Sequence, residues 1–490
     1  MTDFSYLDLL HLVTPQAIVV LAALIVLSVD LVFLRAATAR LRGSIGATLS
    51  ILGCAAAIAS IALTPQSANV LDGMLVLTPL IQHVQIALLV VTILTVLIFL
   101  GSTFTKHISE YLALVLLATT SMMFLVGTQN LLVIFLSLEL LSLSLYILTA
   151  FNKRSIKSAE AAIKYFLFGG ISAAFLLFGF SLLYGYANST NLLQIAAAIH
   201  GASLDPLLLV AIVMTIVGLG FKVAAFPFHF WAPDVYQGAP ASSAALIASG
   251  SKIAGFFVFY QVMAIGLAGA AGSAACRSYV AGWVPVLAIM AALSMVLGNL
   301  VAIMQTSVRR LLAYSAIAHA GYMLLGILSH TQQSLSALLY YAITYALTVL
   351  GAFGVIALVE QQTGGDRVSN FAGLSRRAPI PSFCMMIFLL SLAGIPPLAG
   401  FFGKFYLFAA VLTSTPGTLG LLWLVILAVA MSAVSLYYYL KVLKSIFVAA
   451  PPEDAPPVRV SRLHQTVLAL IALAIVLLGC APNLLMPWLR

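Results

Sequence analysis

Long apolar runs separated by short polar breaks set the rhythm of this chain. Fourteen runs stand at 15–35, 44–64, 76–101, 109–127, 130–151, 158–186, 206–230, 240–266, 280–304, 309–328, 335–360, 380–412, 418–447 and 464–488. Each has about the 20 residues that carry a helix across a bilayer. In lipid every backbone N–H and C=O must be satisfied internally, so continuous apolar runs of this length read as helices. The expected fold is all-α and polytopic. No polar stretch is long enough for a soluble domain. The longest interruptions are 188–206, 361–379 and the Pro-rich APPEDAPPVRV at 450–460. The expectation is a single integral membrane domain over 1–490.

Two runs carry their own break. In GLGFKVAAFPFHFWAPDVYQGAP, Gly218–Pro240, Pro227 follows Lys222 by five residues. In SLAGIPPLAGFFGKFYLF, Pro396 and Pro397 precede Lys404. Proline removes a backbone donor and breaks or kinks a helix. Irregular backbone at membrane depth survives only where protein or a water-filled cavity surrounds it. Paired interruptions in two halves point to inverted repeats around a transport site. Spans four to eight and nine to thirteen are then five-helix repeats of opposite orientation, with helices 7 and 12 broken. The divisions expected are 1–108 (three N-terminal spans), 109–266 and 280–447 (the repeats) and 464–488 (the last span). Lys222 and Lys404 then occupy equivalent helices, and the fragments GLGFK and GFFGK are weakly alike.

Composition agrees with the pattern: 63% of the 490 residues are hydrophobic, 7% are charged and the mean hydropathy is +1.15. The net charge of +9 would suggest nucleic acid in a soluble protein. Here its placement assigns it to topology, and no nucleic-acid partner is expected. Arg35, Arg40, Arg42, Lys106, Lys153, Arg154, Lys157, Arg309, Arg310, Arg367, Arg376, Arg377, Lys441, Lys444, Arg459 and Arg462 fall on one side, with only Arg277 and Arg490 on the other. By the positive-inside rule both termini lie on the non-cytoplasmic face. The N-terminus carries Asp3 and Asp8 where a secretory signal needs a basic region. Cys54, Cys276, Cys384 and Cys480 have no CxxC or metal spacing and read as small apolar residues.

Few ionisable groups remain at membrane depth. Glu139 lies about nine residues into span five, either as a working acid or as a neutral one bonded to Ser137 or Ser142. Lys252 is mid-span, far from an interface to snorkel to. Lys222 and Lys404 accompany the breaks, and His319 stands between Tyr314 and Tyr322. An imidazole can pass protons through either ring nitrogen or serve as a hydrogen-bonded structural group. Lys164 follows Glu160 by four residues, a favourable helical ion pair near a span end. His229 and Asp234 sit at the mouth of span seven, as a proton-uptake group or as loop chemistry. A charged group at this depth costs from about 2.5 kcal/mol upward on insertion scales, so such groups mark function. There is no Walker A loop, dinucleotide fingerprint, haem histidine pair or iron–sulfur cysteine set. No redox cofactor is expected in this chain; acids and amines in a row suit proton movement.

The motifs AAIKYFLFGGISAAFLLFGFSLLYG, GFKVAAFPFHFWAPDVYQGAP, RRLLAYSAIAHAGY and SLAGIPPLAGFFGKF are similar to those of the antiporter-like, proton-translocating subunits of respiratory complex I, the NADH–quinone oxidoreductase of bacteria. Within them the chain resembles the subunit N group most. The resemblance spans nearly the whole chain. It implies that Glu139, Lys222, Lys252, His319 and Lys404 match the ionisable positions of spans five, seven, eight, ten and twelve. It also implies a bacterial inner-membrane location, paralogous antiporter-like and other membrane-arm partners, and NADH, FMN, iron–sulfur clusters and quinone held by partner subunits. PDVYQGAPASSA departs from the family's usual Glu after the tyrosine, which leaves that loop's role open. A subunit of a multisubunit cation/proton antiporter, a membrane-bound hydrogenase-type or formate-linked subunit, and a structural spacer in the membrane arm are the competing readings.

Overall fold

The computed structural model describes residues 6–63, 67–201, 204–275, 278–414, 420–451, 458 and 460–489. Asp3, Cys276, Arg277, Arg459, Arg490 and most of the Pro-rich stretch lie outside them. Three helices open the chain: α1 (Tyr6–Phe33), α2 (Ala39–Leu63) and α3 (Pro79–Phe99). Next come α4 (Ile108–Val126), α5 (Leu131–Thr149), α6 (Ile156–Ala187), the short α7 (Leu192–Ile199), α8 (Pro206–Val223), α9 (Trp231–Gly238), α10 (Ala241–Ala248) and α11 (Gly250–Tyr260). The second half holds α12 (Trp283–Ile303), α13 (Val308–Leu328), α14 (Gln332–Thr363), the single turn α15 (Leu374–Arg377), α16 (Pro379–Ala393), α17 (Ala399–Ser414), α18 (Leu422–Phe447) and α19 (Arg462–Cys480). Two antiparallel hairpins, Ala68–Val70 with Leu75–Leu77 and Ser273–Ala275 with Ser278–Val280, tie loops together.

Among the described residues, thirteen helical segments are long and apolar enough to cross a membrane, and the fourteenth expected span is the broken pair α16–α17. The protein is a multi-pass membrane protein. Its last span is shorter than the apolar run, because α19 stops at Cys480 and Pro482 starts a short 3-10 turn. The eighth span is not one regular helix: α10 and α11 meet at Ser249, whose backbone leaves helical values, and a π turn follows Tyr260.

Both expected breaks are present. Pro227 cannot donate to the carbonyl four residues back, Val223, and its ring crowds that carbonyl. Accordingly α8 ends at Val223, earlier than the apolar run, with Ala224 in the left-handed region at φ 56°. Pro396 and Pro397 do the same to Leu392 and Ala393, and α16 ends there with Gly394 at φ 86°.

Packing repeats across the two halves. α4 packs on α5 and on α11, and α6 packs on both parts of the seventh span, α8 and α9. In the same manner α12 packs on α13 and α18, while α14 packs on both α16 and α17. Five spans separate the corresponding helices, so the second set runs in the opposite direction. These are the inverted five-helix repeats. Close approach of α12 and α13 depends on glycine: a Cβ on Gly298 would stand 2.6 Å from Ala318 N, and one on Gly321 2.7 Å from Ala291 O. Small residues at such contacts let backbones meet where no hydrophobic force drives helices together.

The basic loops meet at one end of the bundle. Gln361 donates to Gly101 O at 2.9 Å, Lys441 to Gln305 O at 3.2 Å and Val308 N to Asp366 O at 2.8 Å. At the other end Val76 N bonds Gly127 O, and Asn191 donates to Asp72 O, both at 2.8 Å.

Candidate functional site

Five of the ionisable residues form one row. Glu139, on α5, is half-buried at the edge of that helix's outward face, beside the exposed Leu136 and Leu140. Lys222 lies in the last turn of α8, is 6% exposed, and is the charge that acts on Glu139. Its Nζ donates to Ser142 Oγ at 3.2 Å. Ser142, a conceivable partner for Glu139, therefore serves the lysine. Gly255 of α11 lies against Lys222, leaving 3.5 Å between a Cβ there and Lys222 Cγ.

Lys252, on α11, reaches across to the break. Its Nζ donates to Val223 O at 3.1 Å and to Ala316 O of α13 at 2.9 Å. The carbonyl that Pro227 leaves without a helical donor is thus bonded by an amine. Lys404 does the same for the second break: its Nζ donates to Leu392 O at 3.0 Å, Ala393 O at 3.1 Å and Ser432 Oγ at 2.7 Å. Lys222 and Lys404 do belong to the two broken spans. They stand on opposite sides of their breaks, however, Lys222 before and Lys404 after. In its bonding to the carbonyls of a break, Lys404 behaves as Lys252 does.

Between these lysines lies His319, 2% exposed and under the charge of both Lys252 and Lys404. Its Nδ1 is 2.6 Å from Tyr341 Oη and its Nε2 3.2 Å from Tyr439 Oη. Tyr439 Oη also lies 2.5 Å from Ser315 Oγ. Asn299 links Tyr438, which donates to its Oδ1 at 3.0 Å, to Tyr322, whose Oη accepts from its Nδ2 at 3.2 Å. Lys404 Nζ sits 5.0 Å from the Tyr322 ring centroid, in cation–π range. Lys404 also borders a cavity of about 400 Å³ walled by Phe401, Phe405, Phe408 and Ser432. Sequence reasoning placed His319 beside Tyr314 and Tyr322. The phenols it missed come from other helices, and the only signal for them was tyrosine inside apolar runs at 340–345 and 437–439.

The three peripheral residues do not join the row. Lys164 pairs with Glu160 at 2.7 Å and with Asp234 at 2.8 Å, and Asp234 also takes Arg310 at 2.6 Å. Burial disfavours ionisation of Asp234, but Lys164 and Arg310 outweigh it and hold the carboxyl below its ordinary value. His229 does not meet Asp234: its ring stacks on Phe230, 4.5 Å away, and Nδ1 has no partner among the described residues. No group of three His, Cys, Asp or Glu converges as metal ligands among the described residues.

The profile of the NADH:quinone oxidoreductase/Mrp antiporter transmembrane family matches residues 128–432, a segment that contains all five residues of the row. The NADH-quinone oxidoreductase subunit N 2 of Acidobacterium capsulatum is 56% identical over 100% of both chains. This chain belongs to that family. Subunit N of Desulforamulus reducens, another relative, is 42% identical over 76% of this chain and 75% of its own. A chain of respiratory complex I from Thermus thermophilus, solved with bound aureothin, superposes with a TM-score of 0.78 at 33% identity, over 96% of this chain and 98% of that one. A chain of the Mrp complex from a Dietzia species superposes with a TM-score of 0.81, over 97% of this chain and 96% of that one. At 20% identity this is a likeness of fold alone.

Proposed function

We propose that this chain is the subunit N-type proton translocator of a bacterial NADH:quinone oxidoreductase. In this reading Glu139, Lys222, Lys252, His319 and Lys404 carry protons in the plane of the membrane. The observation that carries it is the arrangement of the five groups in one row, with Lys222 acting electrostatically on Glu139, and Lys252 and Lys404 on His319 from either side. An ionised Glu139 favours a protonated Lys222; neutralising the acid or separating the pair makes the desolvated amine a better donor. Lys252, bonded beside Lys222 at the break, and His319, with phenols on both ring nitrogens, then offer the next positions toward Lys404. The energy comes from quinone reduction in other subunits, which hold the NADH site, FMN, iron–sulfur clusters and quinone. The cation/proton exchanger reading shares the fold, but subunit N relatives stand far nearer in sequence.

We further place the chain in the inner membrane with the basic loops toward the cytoplasm and both termini in the periplasm. It divides into 1–108, the repeats 109–266 and 280–447, and the last span 464–488. Lys164, Asp234 and Arg310 hold the mouth of the seventh span against the second repeat. The test is Lys222→Ala in the assembled complex. NADH oxidation should proceed with the proton-to-electron ratio lowered by this subunit's share. An unchanged ratio overturns the assignment.

A further inference from the structure

Two buried phenols play no part in the network around His319. Tyr236 on α9 is 0% exposed and Tyr345 on α14 is 3% exposed. Neither hydroxyl has a hydrogen-bond partner among the described residues. The neighbouring tyrosines of α14 are satisfied: Tyr340 donates to Leu478 O at 2.7 Å and Tyr341 meets His319. Leaving a buried hydroxyl unpaired costs about 1–3 kcal/mol. Two together are tolerable where water can reach them, because buried water typically serves otherwise unsatisfied polar groups.

Their positions give the unpaired groups a direction. The Tyr345 ring lies 4.9 Å from the His319 imidazole. Tyr236 packs edge-on against Phe353, 5.9 Å between ring centroids, about two turns along α14 from Tyr345. Tyr236 also adjoins Gln237, Gly238 and Ala239, which wall a cavity of about 390 Å³ at the basic-loop end of the bundle. Arg309 and Glu360 line the same cavity. Arg309 donates to Gln237 O at 3.1 Å and Ala239 O at 2.6 Å, and it pairs with Glu360 of α14. Its Nε is a third buried polar atom without a partner. Glu360 and Tyr345 are fifteen residues apart on one helix, about 22 Å of rise, so these groups descend from the surface toward mid-membrane.

We propose that Tyr236 and Tyr345 line a water-bearing uptake branch that delivers protons from the Arg309–Glu360 cavity to His319. Each hydroxyl passes a proton by donating its own forward and accepting one from behind, so no net charge is left on the phenol. The branch brings protons to the row at His319, while the charge state of Glu139 and Lys222 still drives their transfer, so Lys222 remains essential. It rests on the translocation reading above.

The test uses Tyr236→Phe and Tyr345→Phe, singly and together, in the assembled complex in membrane vesicles. Proton pumping and NADH oxidation are followed together. Phenylalanine keeps the ring contacts with Phe353 and His319 and removes a hydroxyl that bonds no protein group. A packing role therefore predicts no change, whereas the branch predicts a loss of pumping per NADH in each single variant. The double variant should be no worse than the more severe single one, as for steps in series. Tyr340→Phe, which loses a real hydrogen bond, should pump normally. If Lys222→Ala abolishes this subunit's pumping while both Phe variants pump normally, the branch is overturned and the translocation reading stands. If Lys222→Ala also pumps normally, the translocation reading itself fails. Failure of both Phe variants to assemble would count against the branch too, since it would show that the hydroxyls hold structure.

Discussion

Lys222 and Lys252 have the same side chain at similar depth, yet their bonding differs. Lys222 makes one bond, to a serine hydroxyl, whereas Lys252 satisfies two backbone carbonyls. Removing a donor from a buried acceptor costs about 1–3 kcal/mol per group. Lys252→Met should therefore lower both pumping and thermal stability, while Lys222→Met lowers pumping with a smaller fall in Tm. Equal Tm losses would contradict this assignment of bonds. Asp234 offers a pH test. Its carboxyl titrates lower in the folded protein than in the unfolded one, because Lys164 and Arg310 outweigh burial. The stabilisation is thus present above the unfolded value, about 3.9 for Asp, and is lost as pH falls through the folded value. The Tm gap between the unaltered protein and Asp234→Asn should hold from neutral pH down to about 5 and close only in stronger acid.

At the scale of elements, proline and lysine act as a pair. Pro227 strips Val223 of its helical donor and Lys252 supplies another; Pro396 and Pro397 do so for Leu392 and Ala393, and Lys404 answers. A broken helix thus becomes a fixed acceptor for a charged amine, at no cost in unpaired carbonyls. The turn at the second break needs Gly394. At φ 86° a side chain is strained, and a Cβ would stand 3.1 Å from Lys404 Cδ and 3.3 Å from its Nζ. Gly394→Ala should cost about 1–2 kcal/mol in backbone strain and displace the amine. A fall in pumping with NADH oxidation retained is the expected readout. At the first break Ala224 already bears such a conformation, so Ala224→Gly should leave pumping intact.

Across the whole molecule, the two repeats share one row because residues of each reach into the other. Lys252 bonds α13, Phe226 N donates to Ser294 Oγ of α12 at 2.9 Å, and Arg309 bonds the turn before α10. Topology can be checked directly. In a cysteine-free background, Lys153→Cys should react with a membrane-impermeant maleimide only in inverted vesicles. Tyr279→Cys, 72% exposed at the opposite end, should react only from outside. The reverse pattern would overturn the orientation.

Span number, helical class, the two breaks and the short set of deep ionisable residues were all legible in the sequence. Each follows from a local cost: apolar length against bilayer thickness, a missing proline N–H, and charge in hydrocarbon. The end of α8 at Val223 was nearly so, since Pro227 acts on the carbonyl four residues back. Partners across helices were not legible. Nothing local says that Lys252 serves the carbonyl freed by Pro227, that Tyr341 and Tyr439 take the two nitrogens of His319, or that Lys404 bonds the carbonyls freed by Pro396 and Pro397. Those bonds join residues up to 120 positions apart, and only the packing of separate helices within each repeat brings them within hydrogen-bond distance. The sequence by itself determined which groups had to be sheltered from lipid; the tertiary structure decided the order in which they touch.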